Sequence, residues 1–509
     1  MRFCNKVGVL LILLFLFVSS VSLGNNTLPN SDTTLKDNKI GTVFDSGPTI
    51  DWQQFLGSND TRDTTKGILP VKDGGYIILG DSISPVDWSY KWWIVKVDSK
   101  GELLWNITFF ENELDSFPFP ISLTSGVNEG FVLVGVKEQE NSNNIWFIKF
   151  DDYGNELWNI TYRIRGIPND IIQTEDGYIV VGEFLFEDDQ PVAGVLKIDK
   201  IGNLAWTNDF EGTLVSTTEV DDEGFYLVGE NSHDAMIIKI DSHGHQQWNK
   251  TYPLSNRRTQ FNAIERTDNG NLVVIGEVNN FIEGYHEMRF VKIDVNGNLI
   301  LEKIIDGPYD SEIGLDIDQT TDGSFVVLGC YGSVPGGKMC LVKIDSKGTN
   351  CWEKSIDGYV ILYMYGDEMI HPTKDGGYVL TGMTEIPGVP AYFPNVFITK
   401  YCSEDVFNPT VTITKPENGL YFNNNKIFDI KRTIIFGTVD IKANVTDDET
   451  GVDHVEIYVD DMLRANLTIP PYVCAWEEKD ISPHTIKIVG YDHAGNYASK
   501  ELKNIWKIF

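Results

Sequence analysis

Residues 94–105 read Ile94-Val-Lys-Val-Asp-Ser-Lys-Gly-Glu-Leu-Leu-Trp105, and this stretch decides the fold. An apolar run leads into Lys-x-Asp, a short turn with Gly follows, and a second run ends in Trp. Because Asp and Gly favour tight turns and short apolar runs favour strands, the stretch predicts a β-hairpin. The hairpin returns along the chain, with a truncated last copy, at Trp146, Val195, Ile237, Phe290, Leu341 and Val396.

A second signature precedes each hairpin. It is a turn with Asp, Asn or Glu and Gly, followed by an apolar run that ends at Gly80, Gly135, Gly182, Gly229, Gly276, Gly329 or Gly382. The steps between these glycines are 55, 47, 47, 47, 53 and 53 residues. A weaker third run, such as 169–174, comes before each. Four short strands at this period are typical of a β-propeller blade, so seven copies predict a seven-bladed β-propeller.

The two ends of the repeat series are complementary. The series opens with a lone Trp strand at 52–56 and closes at Lys400 without one. Since an unpaired sheet edge favours aggregation, we expect strand 52–56 to supply the outer strand of the seventh blade. The recurring Trp, replaced by Leu301 in the fifth copy, is expected to fill the gap between neighbouring blades.

The unit from Asp73-Gly-Gly-Tyr76 to Trp105 resembles the tryptophan-docking repeat of quinoprotein-type propellers. It is also similar to repeats of secreted archaeal and bacterial propeller proteins. The resemblance spans residues 52–402 and implies a fold rather than a function. Quinoprotein dehydrogenases of this kind also carry vicinal cysteines, and this chain has no Cys-Cys pair. We therefore expect no quinone cofactor.

From residue 408 the chain changes character. The repeat signatures stop, and short alternating strands over about a hundred residues predict a β-sandwich. The segments 448–460, 471–476 and 491–496 resemble a bacterial immunoglobulin-like domain. That family is commonly appended to secreted and surface proteins, so the resemblance implies a spacer or adhesion module rather than chemistry.

The N-terminus combines Arg2 and Lys6 with the apolar run Val7–Val18, which is typical of a secretory signal peptide. An uncleaved anchor is the alternative, because Val7–Leu23 carries no charge. The predicted protein is all-β, a seven-bladed β-propeller followed by an immunoglobulin-like β-sandwich. Its predicted parts are a signal peptide at 1–24, a disordered tether at 25–48, the propeller at 49–404 and the sandwich at 405–509.

The formal net charge of −33 disfavours nucleic acids and anionic membranes as partners. No run after the N-terminal one is long and apolar enough to span a bilayer, so we expect a secreted or cell-surface protein without a membrane span in the mature chain. Its expected partner is a protein or a polysaccharide at the cell surface.

Seven Asn-x-Ser/Thr sequons mark candidate glycosylation sites in an exported chain. One lies in the tether at Asn25, and the others are at Asn59, Asn106, Asn159, Asn249, Asn444 and Asn466. Cys330 and Cys340 flank a loop between adjacent strands of the sixth copy, where a disulfide would suit an oxidising compartment. Burial as small apolar side chains is the alternative.

The strands that line a propeller axis would carry any ligand site. Their charged members are Glu219, Glu265, Arg266, Asp316, Asp318, Glu368 and His371. Paired carboxylates are able to hydrolyse glycosides, but no acid-and-base spacing recurs here, so no catalytic residue is assigned. No metal site is assigned either, although Asp447-Asp-Glu449 and Asp492 leave calcium open.

These observations favour an exported, non-enzymatic surface-binding or adhesion protein. Two alternatives stay open. One is a carbohydrate-active enzyme with carboxylates in the propeller funnel, and the other is a structural component of the cell envelope.

Overall fold

A computed structural model describes residues 48–57, 61–84, 86–87, 89–110, 118–139, 142–186, 191–219, 224–255, 257–280, 285–305, 312–331, 337–360, 369–385, 394–405, 407–447, 450–478 and 481–508. The predicted signal peptide at 1–24 and the predicted tether at 25–48 lie outside these residues, except for residue 48. Within these ranges, the chain contains no helix with the length and apolarity that a membrane crossing requires.

The described chain is all-β. The strands before residue 402 are β1 (Ile50–Leu56), β2 (Arg62–Pro70), β3 (Tyr76–Ile83), β4 (Tyr90–Val97), β5 (Leu103–Phe110), β6 (Pro118–Ser125), β7 (Phe131–Gln139), β8 (Ser142–Phe150), β9 (Glu156–Gln173), β10 (Gly177–Leu185), β11 (Val192–Asp199), β12 (Leu204–Phe210), β13 (Thr213–Glu219), β14 (Phe225–Asn231), β15 (Asp234–Ile240), β16 (Gln246–Tyr252), β17 (Arg258–Arg266), β18 (Leu272–Asn280), β19 (Tyr285–Ile293), β20 (Leu299–Ile305), β21 (Glu312–Gln319), β22 (Phe325–Tyr331), β23 (Gly337–Ile344), β24 (Asn350–Val360), β25 (Ile370–Pro372), β26 (Tyr378–Glu385) and β27 (Pro394–Tyr401).

These strands form seven four-stranded antiparallel units, each of which corresponds to one sequence repeat. Unit 1 is β2–β5, unit 2 is β6–β8 with the first part of β9, unit 3 is the rest of β9 with β10–β12, unit 4 is β13–β16, unit 5 is β17–β20, unit 6 is β21–β24, and unit 7 is β25–β27 with β1. Strand β9 serves two units because its 18 residues pair first with β8 and then with β10. In unit 7, β1 pairs antiparallel with β27, and Trp52 lies opposite Lys400.

The core lies between neighbouring units. Leu79 of unit 1 and Phe131 of unit 2 share one buried cluster. Ile78 of unit 1 shares another with Val379 and Val396 of unit 7, so the last unit packs on the first. Strands that are buried on both faces need apolar residues at successive positions, which explains the continuous apolar runs of the repeat. The arrangement is β-propeller-like.

The recurring Trp lies on the hairpin turn of the next unit. A Cβ on the turn glycine would come within 2.6 Å of the Trp ring at Gly101 and Trp52, 2.7 Å at Gly244 and Trp206, and 2.8 Å at Gly297 and Trp248. In unit 5, Leu301 takes this place against Gly348. Each of these glycines also has a positive φ, so the turn needs glycine for its backbone and for the space that the Trp fills.

Four of the seven repeated lysines, Lys96, Lys197, Lys343 and Lys400, form ion pairs within their own unit. Lys96 lies 2.5 Å from Asp73, and Lys343 lies 2.9 Å from Asp322. In both pairs the carboxylate belongs to the turn between the first and second strands. The lysines therefore hold two strands of one sheet together.

The strands after residue 408 are β28 (Thr410–Lys415), β29 (Gly419–Phe422), β30 (Asn425–Phe428), β31 (Thr433–Phe436), β32 (Val439–Thr446), β33 (Val452–Val459), β34 (Met462–Leu467), β35 (Tyr472–Trp476), β36 (Ser482–Asp492) and β37 (Tyr497–Ile508). They form one sheet in the order β28-β32-β35 and a second in the order β30-β29-β31-β37-β36-β33-β34. A core that includes Ile441, Ile457 and Trp476 lies between the two sheets. This is a β-sandwich.

The predicted bridge between Cys330 and Cys340 is corrected by the register. Cys330 lies opposite Met339, and Cys340 lies opposite Gly329. Because partners in an antiparallel pair share a face and neighbours alternate, the two cysteines point to opposite faces of the sheet. They belong to different core clusters, and both thiols are free.

Candidate functional site

The first strands of units 3 to 7 line a common channel. A cavity of about 120 Å³ is lined by residues of β9, β13, β17, β21 and β25, which belong to five consecutive units. Each strand contributes alternate side chains, since successive residues of a strand point to opposite faces. Equivalent positions of the first strands therefore form sets with one residue from each unit, and each such set is called a ring here.

Two rings follow from the register with the second strand of each unit. The clamp ring consists of Gly67, Ser122, Asp170, Ser216, Ala263, Asp316 and Met369. The turn-side ring lies two residues further along each strand and consists of Leu69, Thr124, Ile172, Thr218, Glu265, Asp318 and His371. All but one of the residues that units 3 to 7 contribute to these rings line the cavity.

The two aspartates of the clamp ring bind the backbone of the next unit. Asp170 Oδ2 accepts a hydrogen bond from Thr217 N at 3.0 Å. Asp316 Oδ2 accepts hydrogen bonds from Met369 N at 2.8 Å and Ile370 N at 3.0 Å. Burial raises the pKa of Asp316, while the charge of His371 and these two N–H groups oppose the increase. Both carboxylates thus hold neighbouring units together.

Two asparagines beside the clamp ring also bind the backbone of the next unit, but they donate hydrogen bonds to carbonyls, whereas the aspartates accept them from N–H groups. Asn169 Nδ2 donates to the Leu214 carbonyl at 2.6 Å, and Asn262 Nδ2 donates to the Gly314 carbonyl at 2.7 Å. Each bond again reaches the next unit. These asparagines and the two aspartates of the clamp ring therefore stabilise the packing of neighbouring units.

The turn-side ring is chemically uneven. Units 1 to 3 contribute two apolar side chains and one threonine, whereas units 4 to 7 contribute Thr218, Glu265, Asp318 and His371. His371 Nε2 lies 2.9 Å from the Ile68 carbonyl and donates to it, because a carbonyl only accepts. His371 Nδ1 lies 3.4 Å from Asp318 Oδ2. His371 therefore contacts units 6 and 1 from unit 7.

Four of the seven charged residues predicted for the axis lie along one cavity. These are Glu265, Asp316, Asp318 and His371. Arg266 follows Glu265 on β17, so it belongs to the other face of the strand. Glu219 ends β13, and its side chain lies outside the description, as does the whole of Glu368.

Asp170 is the charged channel residue that sequence reasoning missed. The signal for it was available, because the strands 169–174 and 314–320 align at Thr174 and Thr320 and place Asp170 at the position of Asp316. Thr218 and Ser216 carried no comparable signal, since hydroxyl residues are common in strands.

The predicted glycosylation sites that lie in the described residues are exposed to solvent. Asn106, Asn159, Asn249, Asn444 and Asn466 are all exposed. Asn59 and Asn25 lie outside the described residues.

A second cluster of charge lies where the repeat part meets the sandwich. Glu404 accepts hydrogen bonds from Lys343 Nζ at 3.1 Å, Trp352 Nε1 at 3.0 Å and Tyr378 Oη at 3.1 Å. Its neighbour Asp405 faces the sandwich and accepts from Thr450 Oγ1 at 2.7 Å. The segment that leaves unit 7 is therefore held from both sides.

The acidic loops in which the sequence left calcium open meet this segment. One carboxylate oxygen from each of Asp405, Asp447 and Asp492 lies within 4.8 Å of the other two. Residues 448 and 449 lie outside the described part. Asp405 was not foreseen, because it is distant in sequence from the other two aspartates.

Comparisons with known proteins identify one part of the chain. Residues 409–488 match the family model of a bacterial Ig domain. The C-terminal module is a bacterial Ig-like domain. Such domains are typical of extracellular proteins. Among curated proteins, none matches the chain significantly.

The solved structures that the chain matches share little sequence with it. The β-propeller domain of the Trilobed protease from Pyrococcus furiosus is 9% identical, covering 68% of this chain and 94% of that one, with a TM-score of 0.41. A protein of unknown function from Bacteroides caccae is 13% identical over 58% of this chain and 94% of that one, with a TM-score of 0.36. The fibronectin(III)-like modules of Clostridium thermocellum CbhA are 17% identical over 36% of this chain and 86% of that one, with a TM-score of 0.20.

Proposed function

We propose that the chain is an exported, non-catalytic binding protein of the cell surface. In this proposal the seven units close into a seven-bladed β-propeller whose axis binds a polysaccharide, and the Ig-like domain is a spacer. The pairing of β1 with β27 and the packing of unit 7 on unit 1 support closure. The N-terminal basic and apolar segment and the exposed sequons support export.

The uneven chemistry of the turn-side ring carries the binding proposal. A position that serves only the fold would repeat its chemistry around the units, as the paired lysines do. Units 4 to 7 instead present Thr218, Glu265, Asp318 and His371 side by side. Hydroxyl, carboxylate and imidazole groups match the donors and acceptors of sugar hydroxyls.

The size of the cavity limits what enters it. Its volume of about 120 Å³ is below the 300 Å³ or more of pockets that enclose a whole small molecule. The ligand is therefore one that inserts an end or an edge, as a polysaccharide chain does. A binding role fits better than hydrolysis, because Asp170 and Asp316 are engaged by backbone N–H groups and Asp318 faces His371.

The test is binding of the protein without residues 1–24 to a glycan array, followed by affinity measurement on the best ligand. The double variant Glu265→Gln/Asp318→Asn is expected to lose about tenfold in affinity, which corresponds to one or two hydrogen bonds. The control is Asp209→Asn/Glu211→Gln, which makes the same charge change at exposed positions.

Three results would overturn the proposal. Hydrolysis of the bound glycan would make the protein an enzyme. Equal affinity of the two double variants would move the site away from the channel. A protein ligand recovered from cell envelopes, with no glycan bound on the array, would replace the polysaccharide.

A further inference from the structure

The junction between the repeat part and the Ig-like domain brings three carboxylates together. Asp405 lies in the segment after β27, Asp447 follows β32, and Asp492 ends β36. One oxygen of each lies within 4.8 Å of the other two. At such distances unscreened negative charges repel one another, so the arrangement needs a physical reason.

The loops orient Asp447 and Asp492 through one oxygen each, whereas both oxygens of Asp405 accept hydrogen bonds, from Phe407 N at 2.9 Å and from Thr450 Oγ1 at 2.7 Å. Asp447 Oδ1 accepts from Thr450 N and Gly451 N, both at 2.9 Å. Asp492 Oδ1 accepts from Asn496 N at 2.8 Å. The backbone thus fixes the direction of the Asp447 and Asp492 side chains.

Among the described residues, none donates a hydrogen bond of good geometry to the second oxygen of Asp492. Asp492 is 2% exposed, and its Oδ2 is buried without a hydrogen-bond partner. Burial raises the pKa of Asp492, and the charges of Asp405 and Asp447 raise it further. Among the described residues, no Lys, Arg or His forms an ion pair with Asp405 or Asp492. A buried acceptor without a partner, on a side chain that belongs to a cluster of carboxylates, is what a bound cation would satisfy.

We propose that Asp405, Asp447 and Asp492 bind one calcium ion, which ties the Ig-like domain to the segment that leaves unit 7. Three carboxylates on separate loops form the hard, all-oxygen donor set that Ca²⁺ prefers. The three aspartates include neither the Cys nor the His ligands that are typical of zinc sites. This inference is independent of the ligand proposed for the channel.

The ion would bind the segment that connects unit 7 to the Ig-like domain, and units 6 and 7 already bind the same segment through Glu404. Glu404 is bound by Lys343, Trp352 and Tyr378 of units 6 and 7. Thr450 of the domain also lies close to the turn of unit 7, since a Cβ on Gly376 would be 2.5 Å from Thr450 Cγ2. An ion that bridges Asp405 to Asp447 and Asp492 would therefore fix the Ig-like domain against unit 7.

Calcium binding is measured by calorimetry on the chelator-treated protein without residues 1–24, with Ca²⁺, Mg²⁺ and Zn²⁺ as separate titrants. We expect one Ca²⁺ per chain, with Mg²⁺ about tenfold weaker or more. Asp492→Asn and Asp405→Asn are each expected to lower the calcium affinity about tenfold or more. Asp461→Asn, at an exposed acid of the same domain, is expected to bind as the wild type does.

Coupling to the junction is measured by chymotrypsin cleavage at Phe407, which is 64% exposed in the connecting segment. At a calcium concentration a few times the wild-type dissociation constant, cleavage is expected to slow about fivefold in the wild type, because cleavage requires local opening of the segment, and to slow much less in the Asp405→Asn variant. Asp405 lies outside the strands of the domain, so the Asp405→Asn variant is expected to fold. It therefore tests the site even in the case that the Asp492→Asn variant does not fold.

Each contrary result is decisive. No calcium binding by the wild type, or wild-type binding by the Asp405→Asn variant, would overturn the site. A preference for Mg²⁺ or Zn²⁺ would overturn the choice of ion. Binding without slower cleavage would overturn the coupling between the ion and the junction.

Discussion

Three buried lysines of this protein, Lys96, Lys197 and Lys343, are neutralised by an aspartate of a nearby turn. Lys197 of unit 3, for example, lies 2.5 Å from Asp176. Glu353 on β24 departs from this pattern. Burial, together with the charge of Glu312, raises its pKa from 4.5 to about 7. A carboxyl group with such a shift makes stability depend on pH.

The sign of this dependence follows from the two states. In the unfolded chain Glu353 loses its proton near pH 4.5, whereas in the folded chain it keeps the proton up to about pH 7. The folded state therefore binds more protons between these values, and its stability falls as the pH rises through them. Above pH 7 the loss is complete.

Glu353→Gln removes this loss. Relative to the wild type, the variant is expected to gain roughly 2 kcal/mol in free energy of unfolding between pH 5 and pH 8. Urea unfolding of both proteins at the two pH values measures the difference. Glu156→Gln, at an exposed position, is the control and should follow the wild type. A constant difference between the Glu353→Gln variant and the wild type at both pH values would contradict the prediction.

The hairpin turn is the element through which one unit meets the next. Gly244 has φ +86°, and a Cβ there would lie 2.7 Å from the Trp206 ring of the preceding unit. Gly270 has a similar φ of +82°, but a Cβ there would meet nothing closer than 4.0 Å. A comparison of alanine variants at the two glycines therefore distinguishes the cost of backbone strain from the cost of the contact with Trp206.

Gly270→Ala is expected to cost about 1 kcal/mol, the price of a left-handed backbone for alanine. Gly244→Ala is expected to cost about 1–3 kcal/mol more, because the Trp206 ring has to move. Urea unfolding measures both costs. Equal losses in the two variants would mean that the Trp does not press on the turn.

Much of the arrangement of strands and domains was predictable from the sequence, because the hairpin and its glycine recur along the chain. The all-β class and the C-terminal Ig-like domain are confirmed. The signal peptide, the glycosylation and the adhesive function stay predictions, as does the likeness to quinoprotein-type repeats. The predicted pairing of Cys330 and Cys340 was wrong because the two residues are offset by one position in the register, so their side chains lie on opposite faces of the sheet.

The candidate sites were less predictable, because they depend on contacts between distant segments. Asp316 and His371 meet at the axis only when units 6 and 7 pack side by side. Asp405 joins Asp447 and Asp492 only when the Ig-like domain docks on the segment after unit 7. Neither juxtaposition leaves a periodic signal in the sequence.

At the scale of the whole molecule, the first and last segments of the repeat part stabilise one another. Unit 7 contains both β1 and β27. Trp52 of unit 7 covers Gly101 of unit 1, and the hydroxyls of Thr381 and Thr65 are hydrogen-bonded to each other, with 3.1 Å between the two Oγ1 atoms. Removing β1 would therefore weaken two interfaces at once, within unit 7 and between units 7 and 1.

A protein that starts at residue 57 is expected to melt at least about 5 °C below one that starts at residue 48, and to aggregate on heating. Both forms lack residues 1–47, so only β1 and the residues beside it distinguish them. The loss has two causes. The backbone groups of β27 that pair with β1 become an open edge, and the Trp52 ring no longer covers the turn at Gly101. Thermal unfolding with light scattering measures both effects.

A peptide of residues 48–57 separates these causes from a general effect of truncation. Added to the shorter protein, it is expected to pair with β27, raise the melting temperature and suppress aggregation, because a strand added to an open edge restores its hydrogen bonds. The same peptide with Trp52→Ala should restore less, since it replaces the edge but not the covering ring. If the two truncated proteins melted together, β1 would contribute nothing to stability and closure through this strand would be wrong.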